Sequence, residues 1–146
     1  MTDTAMTGEE TRPRAPELRT IHHVALTVRD IEASVRWYVD VFGVTRSYDE
    51  PHYPDGPGYG VILSHPQGFN IGLDHHPDNA GEPFSEKRAG LDHVGFLVAS
   101  RAELDTWEAP LRDLGVEHSP ITDQEWGSIL VFRDPDNIQL ELLAFA

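Results

Sequence analysis

The sequence predicts an α+β fold built from two tandem β-α-β-β-β modules. The stretch Ile21–Val28 (IHHVALTV) returns as Leu91–Val98 (LDHVGFLV). Three pairs of landmarks recur at nearly one spacing, namely 70, 72 and 69 positions for His23 and His93, Gly43 and Gly115, and Pro66 and Pro135. Each copy also passes from alternating apolar residues to helical spacing and then back to strand-like segments. Two copies of so long a period indicate paired modules instead of a solenoid.

The first module is predicted to cover about residues 20–76. Its opening stretch alternates and is rich in β-branched residues, which is typical of a strand. Asp30 is a good N-cap for the helix that follows, and Gly43 stands where helices commonly end. Three short strands are predicted over about residues 44–49, 59–64 and 69–74, with a turn-rich loop before the second of them.

The second module is predicted to cover about residues 90–146, so that residues 19–146 form a single domain. Ser100 and Glu103 make a capping box at the start of its helix. Pro110 falls inside this helix, where it is expected to remove a hydrogen bond and bend or break the helix. Three more strands are predicted over residues 116–121, 128–132 and 138–145.

Two segments are predicted to lie outside the modules. Residues 1–18 are polar, with almost no apolar periodicity, and read as a disordered tail. Residues 77–89 are rich in turn-forming and charged residues, and are predicted to link the modules.

Composition and charge exclude several classes of function. Hydrophobic residues make up 39% and charged residues 25%, which is ordinary for a soluble globular protein. The formal net charge of -14 argues against nucleic acid and anionic membranes as partners. The absence of cysteine excludes disulfides and thiolate metal sites. Without a membrane-length apolar run or a secretory pattern, the chain is expected to be cytoplasmic.

These motifs resemble the vicinal oxygen chelate superfamily, which includes glyoxalase I, extradiol dioxygenases and bleomycin resistance proteins. The resemblance rests on the two histidine-bearing strands and on Phe132–Leu142 (FRDPDNIQLEL), and it covers nearly all of residues 21–145. It implies a glyoxalase-like fold in which cupped mixed sheets enclose a cleft for one divalent metal ion. Carried over position by position, the implied metal ligands are His23, His93 and Glu141.

The fourth ligand position of this pattern is empty. It falls on Gly72 when Pro66 is aligned with Pro135, and glycine has no side chain to offer. Asp74 shares a strand face with Gly72 and is an alternative ligand. Any one of these polar residues alone is also consistent with an ordinary strand end, but their equivalent repeat positions favour a metal site. Imidazole and carboxylate suit Fe, Zn, Mn, Ni or Co, and the sequence does not distinguish these metals.

Further side chains are predicted around the cleft. The candidate acids and bases are Glu141, Glu125 and His75. The candidate substrate contacts are Gln139, Tyr59, Trp126 and Gly72, with His52 and Tyr53 in the loop beside them.

Two classes of function remain open. The first is a divalent-metal-dependent enzyme, either a glyoxalase-like lyase or isomerase or a dioxygenase, that chelates a small oxygen-bearing organic substrate through two atoms. The alternative is a non-catalytic protein of the bleomycin resistance type that binds a drug or metabolite. A homodimer is expected, and the sequence leaves open whether one chain or two build each site.

Overall fold

Two four-stranded mixed sheets form the framework of the structure, a computed structural model that describes residues 15–52 and 56–146. This arrangement confirms the predicted α+β fold. Residues 15–22 are exposed and have no regular secondary structure. The remainder of the predicted tail, residues 1–14, and the candidate contact Tyr53 lie outside the described residues. Within those residues, no helix has the length and apolar character needed to cross a membrane.

The elements of the first module are β1 (His23–Thr27), α1 (Ile31–Phe42), β2 (Thr45–Pro51), β3 (Tyr59–Ser64) and β4 (Asn70–His75). They form a sheet of strand order β1-β4-β3-β2, in which β1 and β4 are parallel and the other neighbours antiparallel. The α1 helix begins where the side chain of Asp30 accepts a hydrogen bond from the Ala33 N–H at 3.0 Å. It ends at Gly43, whose φ of 66° is accessible to glycine and whose N–H donates to the Val39 carbonyl.

The elements of the second module are β5 (Val94–Leu97), α2 (Arg101–Asp105), α3 (Glu108–Asp113), β6 (Thr122–Gln124), β7 (Gly127–Arg133) and β8 (Gln139–Phe145). This module repeats the topology of the first, with strand order β5-β8-β7-β6 and β5 parallel to β8. Between the modules, residues 76–93 contain no helix or strand.

The helix of the second module is broken, as its proline predicts. The Ser100 hydroxyl oxygen caps the start of α2 by accepting from the Glu103 N–H at 3.1 Å. The Thr106 hydroxyl then donates to the Glu103 carbonyl at 2.6 Å, where α2 ends. Pro110 is placed in the first turn of α3, where its missing N–H has no partner to lose.

The strand predicted over residues 116–121 does not form. This segment makes only an isolated bridge between His118 and Phe132. The Ser119 N–H donates to the Val131 carbonyl at 2.8 Å, but the Val131 N–H bonds to the Ser119 side chain at 3.0 Å. Pro120 follows without an N–H to continue a ladder. The prediction was therefore wrong here, and the edge strand β6 begins only at residue 122.

The two modules are joined by α1 and the turn between β7 and β8. The Tyr38 hydroxyl donates to Oδ2 of Asp134 at 2.8 Å. The Ser34 hydroxyl and the Arg29 guanidinium donate to the Asp136 carboxylate at 3.3 and 2.8 Å. Burial, the largest influence, raises the pKa of Asp134 to about 6. A titratable carboxyl group thus lies inside the contact between the modules.

Candidate metal centre

The second module places two of the predicted ligands on one face of its sheet. In the ladder between β5 and β8, Gly95 is paired with Glu141. His93 directly precedes the first residue of β5, which begins three residues later than predicted, and it is exposed like Gly95. An extended backbone over these residues puts His93 on the face of Gly95. Val94 and Phe96 alternate with these positions and pack against the core. His93 and Glu141 are therefore placed on the same side of the sheet, and Gly95 adds no side chain beside Glu141.

His93 is oriented by its neighbour in sequence. Its Nδ1 atom lies 2.6 Å from Oδ1 of Asp92. A carboxylate oxygen accepts this hydrogen bond, so Nδ1 is the donor and, in the neutral imidazole, Nε2 keeps its lone pair. Histidines that bind metal through one nitrogen commonly donate to a carboxylate from the other. The donor set of the second module therefore fits a divalent metal ion.

The first module offers one ligand at the corresponding positions. Exposed His23 shares a face with Ala25, which pairs with Gly72 in the ladder between β1 and β4. Gly72 therefore occupies in β4 the position that Glu141 has in β8. A Cβ atom on Gly72 would lie 3.3 Å from Cβ of Ala25, closer than most such contacts.

One chain does not bring the three predicted ligands together. β1 and β5 belong to different sheets. Across residues 15–52 and 56–146, no group of three or more His, Asp or Glu side chains is close enough to hold one ion. We call His93 and Glu141 the module 2 half-site, and His23 with position 72 the module 1 half-site.

Asp74 is engaged with a loop histidine. Its Oδ1 atom lies 2.5 Å from Nε2 of His52, and both side chains are mostly buried. Asp74 shares the face of Gly72, two residues further along β4. A Cβ atom on Gly60 would come within 2.8 Å of the Asp74 carboxylate, so this glycine leaves the pair its room. The sequence did not indicate the pair, because His52 and Asp74 are 22 positions apart and no local pattern links them.

Two side chains of the second module that were predicted to contact the substrate lie at the ends of its strands. Gln139 shares the face of Glu141 and donates to Asp92 at 3.3 Å. Trp126 is exposed in the turn between β6 and β7, with its ring centroid 6.3 Å from that of Phe145. The candidate acid Glu125 is exposed in the same turn.

Tyr59 and His75 lie together, but on the opposite face from the module 1 half-site. They pair in the ladder between β3 and β4, with ring centroids 5.4 Å apart. Alternation puts His75 on the side of Ile71 and Leu73, which are buried in the core, and away from Gly72.

A charged pair that the sequence did not predict connects with the module 2 half-site through hydrogen bonds. The Arg133 guanidinium donates to both carboxylate oxygens of Glu86, at 3.1 and 3.0 Å. These hydrogen bonds lower the pKa of Glu86 to about 2. Arg133 and Glu86 are 47 positions apart, so no local pattern could have revealed the pair.

The chain belongs to the Glyoxalase/Bleomycin resistance protein/Dioxygenase superfamily, whose family model matches residues 20–142. This match confirms the resemblance that the motifs indicated.

Two relatives from Bacillus subtilis strain 168 illustrate the range of similarity. The chain is 34% identical to the uncharacterized protein YwkD over 127 residues, covering 86% of this chain and 96% of YwkD. It is 28% identical to MhqA, named as a putative ring-cleaving dioxygenase, over 89% of this chain. The chain spans only 41% of MhqA.

Solved structures share the fold. A glyoxylase/bleomycin resistance protein/dioxygenase domain from Frankia sp. EAN1pec is 34% identical, with a TM-score of 0.81 over 89% of this chain and 94% of that one. The fosfomycin resistance protein FosX from Listeria monocytogenes, crystallised with Mn(II) and sulfate, is 20% identical with a TM-score of 0.66. That alignment covers 89% of this chain and 95% of FosX, and it shows the fold alone.

Proposed function

We propose that the protein is a divalent-metal-dependent enzyme whose site is shared between two copies of the chain. His23 of one copy would join His93 and Glu141 of the other. The observation that carries this proposal is the module 2 half-site, where both ligands share one face and Asp92 leaves Nε2 of His93 free. Two histidines and one carboxylate form a recurrent ligand set for non-haem iron and related divalent metals.

Exposed apolar side chains on the same faces support a second copy as partner. Leu97 is 64% exposed and alternates onto the face of His93, and Phe145 is 65% exposed on the face of Glu141. Large apolar side chains on a ligand-bearing face favour burial in an interface. In a two-fold symmetric dimer, one such contact would form twice and complete two sites.

The ligand set favours a substrate with two adjacent oxygen atoms. A bound divalent ion would supply Lewis-acid activation, with open positions for both oxygens and for dioxygen. Gly72 adds no fourth protein ligand, which favours a dioxygenase over a four-ligand glyoxalase. The names of MhqA and of biphenyl-2,3-diol 1,2-dioxygenase 3 from Rhodococcus globerulus, 24% identical, support catechols as the first substrates to test. The chain spans 60% of the latter relative.

A mixed dimer tests whether the site is shared. His23→Ala and His93→Ala chains carry different affinity tags, and the heterodimer is purified by both. A shared site predicts that neither homodimer binds Mn(II), but that the heterodimer binds one ion, since one of its two sites keeps every ligand. Size-exclusion chromatography with light scattering checks that all three are dimers. A heterodimer without metal, alongside a wild-type dimer with metal, would exclude sharing.

The reaction is tested on protein loaded with Fe(II) under nitrogen. Oxygen uptake is measured with catechol and 3-methylcatechol, and Glu141→Gln is the matched inactive variant. Metal binding without oxygen uptake would leave the lyase or isomerase alternative. Metal content no higher than that of His93→Ala would favour the non-catalytic binding protein.

A further inference from the structure

A chain of hydrogen bonds runs from the linker to His93. The Arg133 guanidinium donates to the carboxylate of Glu86 and also, at 3.1 Å, to Oε1 of Gln139. The side-chain amide of Gln139 then donates to Oδ1 of Asp92 at 3.3 Å. This same oxygen accepts from Nδ1 of His93 at 2.6 Å. Every donor and acceptor along this path is therefore assigned.

In the first module, a chain of hydrogen bonds without carboxylate or guanidinium groups ends at His23. The Ser64 hydroxyl donates to Oδ1 of Asn70 at 2.8 Å. The Asn70 amide donates to the backbone carbonyl of His22 at 3.2 Å and lies 3.5 Å from Nε2 of the His22 ring. The Nδ1 atoms of His22 and His23 are 2.9 Å apart, and either imidazole can be the donor. The hydrogen on the His23 ring is therefore not fixed.

The two chains of bonds occupy equivalent places in the duplicated fold. Ser64 pairs with Asn70 across β3 and β4, and Arg133 pairs with Gln139 across β7 and β8. The next residue in each path directly precedes the histidine ligand. Of the two paths, the one in the second module contains carboxylate and guanidinium groups, and it reaches the linker through Glu86.

We propose that Glu86, Arg133 and Gln139 form a positioning relay that holds Asp92, and through it the ring of His93. The relay keeps the hydrogen of His93 on Nδ1 and leaves Nε2 ready for the metal. This inference rests on the proposed function for its metal. A histidine ring that is already oriented loses less entropy when the ion binds. The carboxylate also makes the imidazole a stronger electron donor to the metal.

Mn(II) affinity of the full-length chain tests the relay by isothermal titration calorimetry. Asp92→Ala is expected to weaken binding by about 10- to 100-fold, the usual effect of removing a partner of a metal-bound histidine. Asp92→Asn should lose less, because its amide oxygen still accepts from Nδ1. Glu86→Gln should weaken binding by a few-fold. Glu82→Gln is the matched control, since Glu82 forms an exposed ion pair with Arg88 in the same linker. The Mn(II) affinity of this variant should equal that of wild type.

The ring nitrogens of His93 give a readout that needs no metal. Nitrogen-15 NMR of the metal-free protein at pH 8 should show the Nδ1–H tautomer in wild type and Asp92→Asn, and a tautomer mixture in Asp92→Ala. A change in stability alone would not produce that pattern. Unchanged affinity and unchanged tautomer in Asp92→Ala would overturn the relay. A wild type that binds no Mn(II) would overturn the proposed function, while the tautomer still decides whether Asp92 orients His93.

Discussion

The two modules share topology and register but differ at one pair of facing residues. In the second module, Gly95 faces Glu141, whereas in the first module Ala25 faces Gly72. The first module leaves little room beside Ala25, because a Cβ atom at position 72 would already be 3.3 Å from that of Ala25. The empty fourth ligand position therefore depends on both strands and not on one residue. Four sets of variants test how the two modules differ, at this pair and at their turns.

The largest effect is expected from Glu141→Gln, which removes the only carboxylate of the module 2 half-site. Loss of a direct ligand should exceed the effect of losing its supporting partner, so Mn(II) affinity should fall by more than about 100-fold. Calorimetry measures this, with the exposed Glu117→Gln in the same module as control. If Glu141→Gln kept full Mn(II) affinity, Glu141 would not be a metal ligand. The two modules would then not differ in the ligands that they supply from these strands.

The turns of the modules differ as well, since only the turn between β7 and β8 accepts side chains from α1. Between about pH 4 and 6, Asp134 is protonated in the folded chain but ionised in the unfolded chain. The free energy of unfolding that this proton contributes is therefore lost as the pH rises through about 6. Asp134→Asn mimics the protonated form, because its amide can donate to Tyr38. Relative to wild type, the variant should gain about 3 kcal/mol in free energy of unfolding between pH 4 and pH 8.

Urea unfolding at the two pH values, at one protein concentration, measures this gain. The exposed Asp113→Asn should show no such pH-dependent difference. A gap between Asp134→Asn and wild type that stays constant with pH would contradict the raised pKa.

A smaller effect is expected when the facing pair of the second module is moved into the first. The double variant Ala25→Gly with Gly72→Glu should bind Mn(II) about tenfold more tightly, because a fourth ligand is added and the crowding is relieved. Gly72→Glu alone should lower the thermal unfolding temperature, since Ala25 remains in the way. Ala25→Gly with Gly72→Gln is the control without charge. Equal affinity of the Glu and Gln double variants would show that position 72 does not reach the metal.

The smallest effect is expected from Asp74→Asn. Because its carboxylate is engaged by His52, Mn(II) affinity should equal that of wild type within the error of calorimetry. A loss comparable to that of Glu141→Gln would instead identify Asp74 as the displaced fourth ligand. In that case, the modules would contribute two ligands each.

Much of the fold could be predicted because its signals are local. Alternation identified the faces of the strands, and the capping residues set the start and end of α1. Pro110 marked the segment in which the second helix is broken. Residues 116–121 were wrongly predicted as a strand because their apolar ends do not reveal what the Ser119 side chain does. This side chain accepts the hydrogen bond from the Val131 N–H that a backbone carbonyl would accept in a regular ladder.

The candidate site was predictable only in part. The repeat identified the positions of His23, Gly72 and His93, but it assigned no role to Asp92. The pairing of Glu86 with Arg133 depends on the path of the linker, which has no periodicity to reveal it.

The sequence by itself determined that the chain has two copies of one module, and which residues alternate onto each strand face. The repeat is visible in the residue types themselves, and the alternation follows from backbone geometry over a few residues. Only the tertiary structure decided that His23 does not come together with His93 and Glu141 within the described part of one chain, and that the linker connects with His93 through hydrogen bonds. Contacts of that kind join residues that are distant in the chain, so they exist only once the sheets have packed.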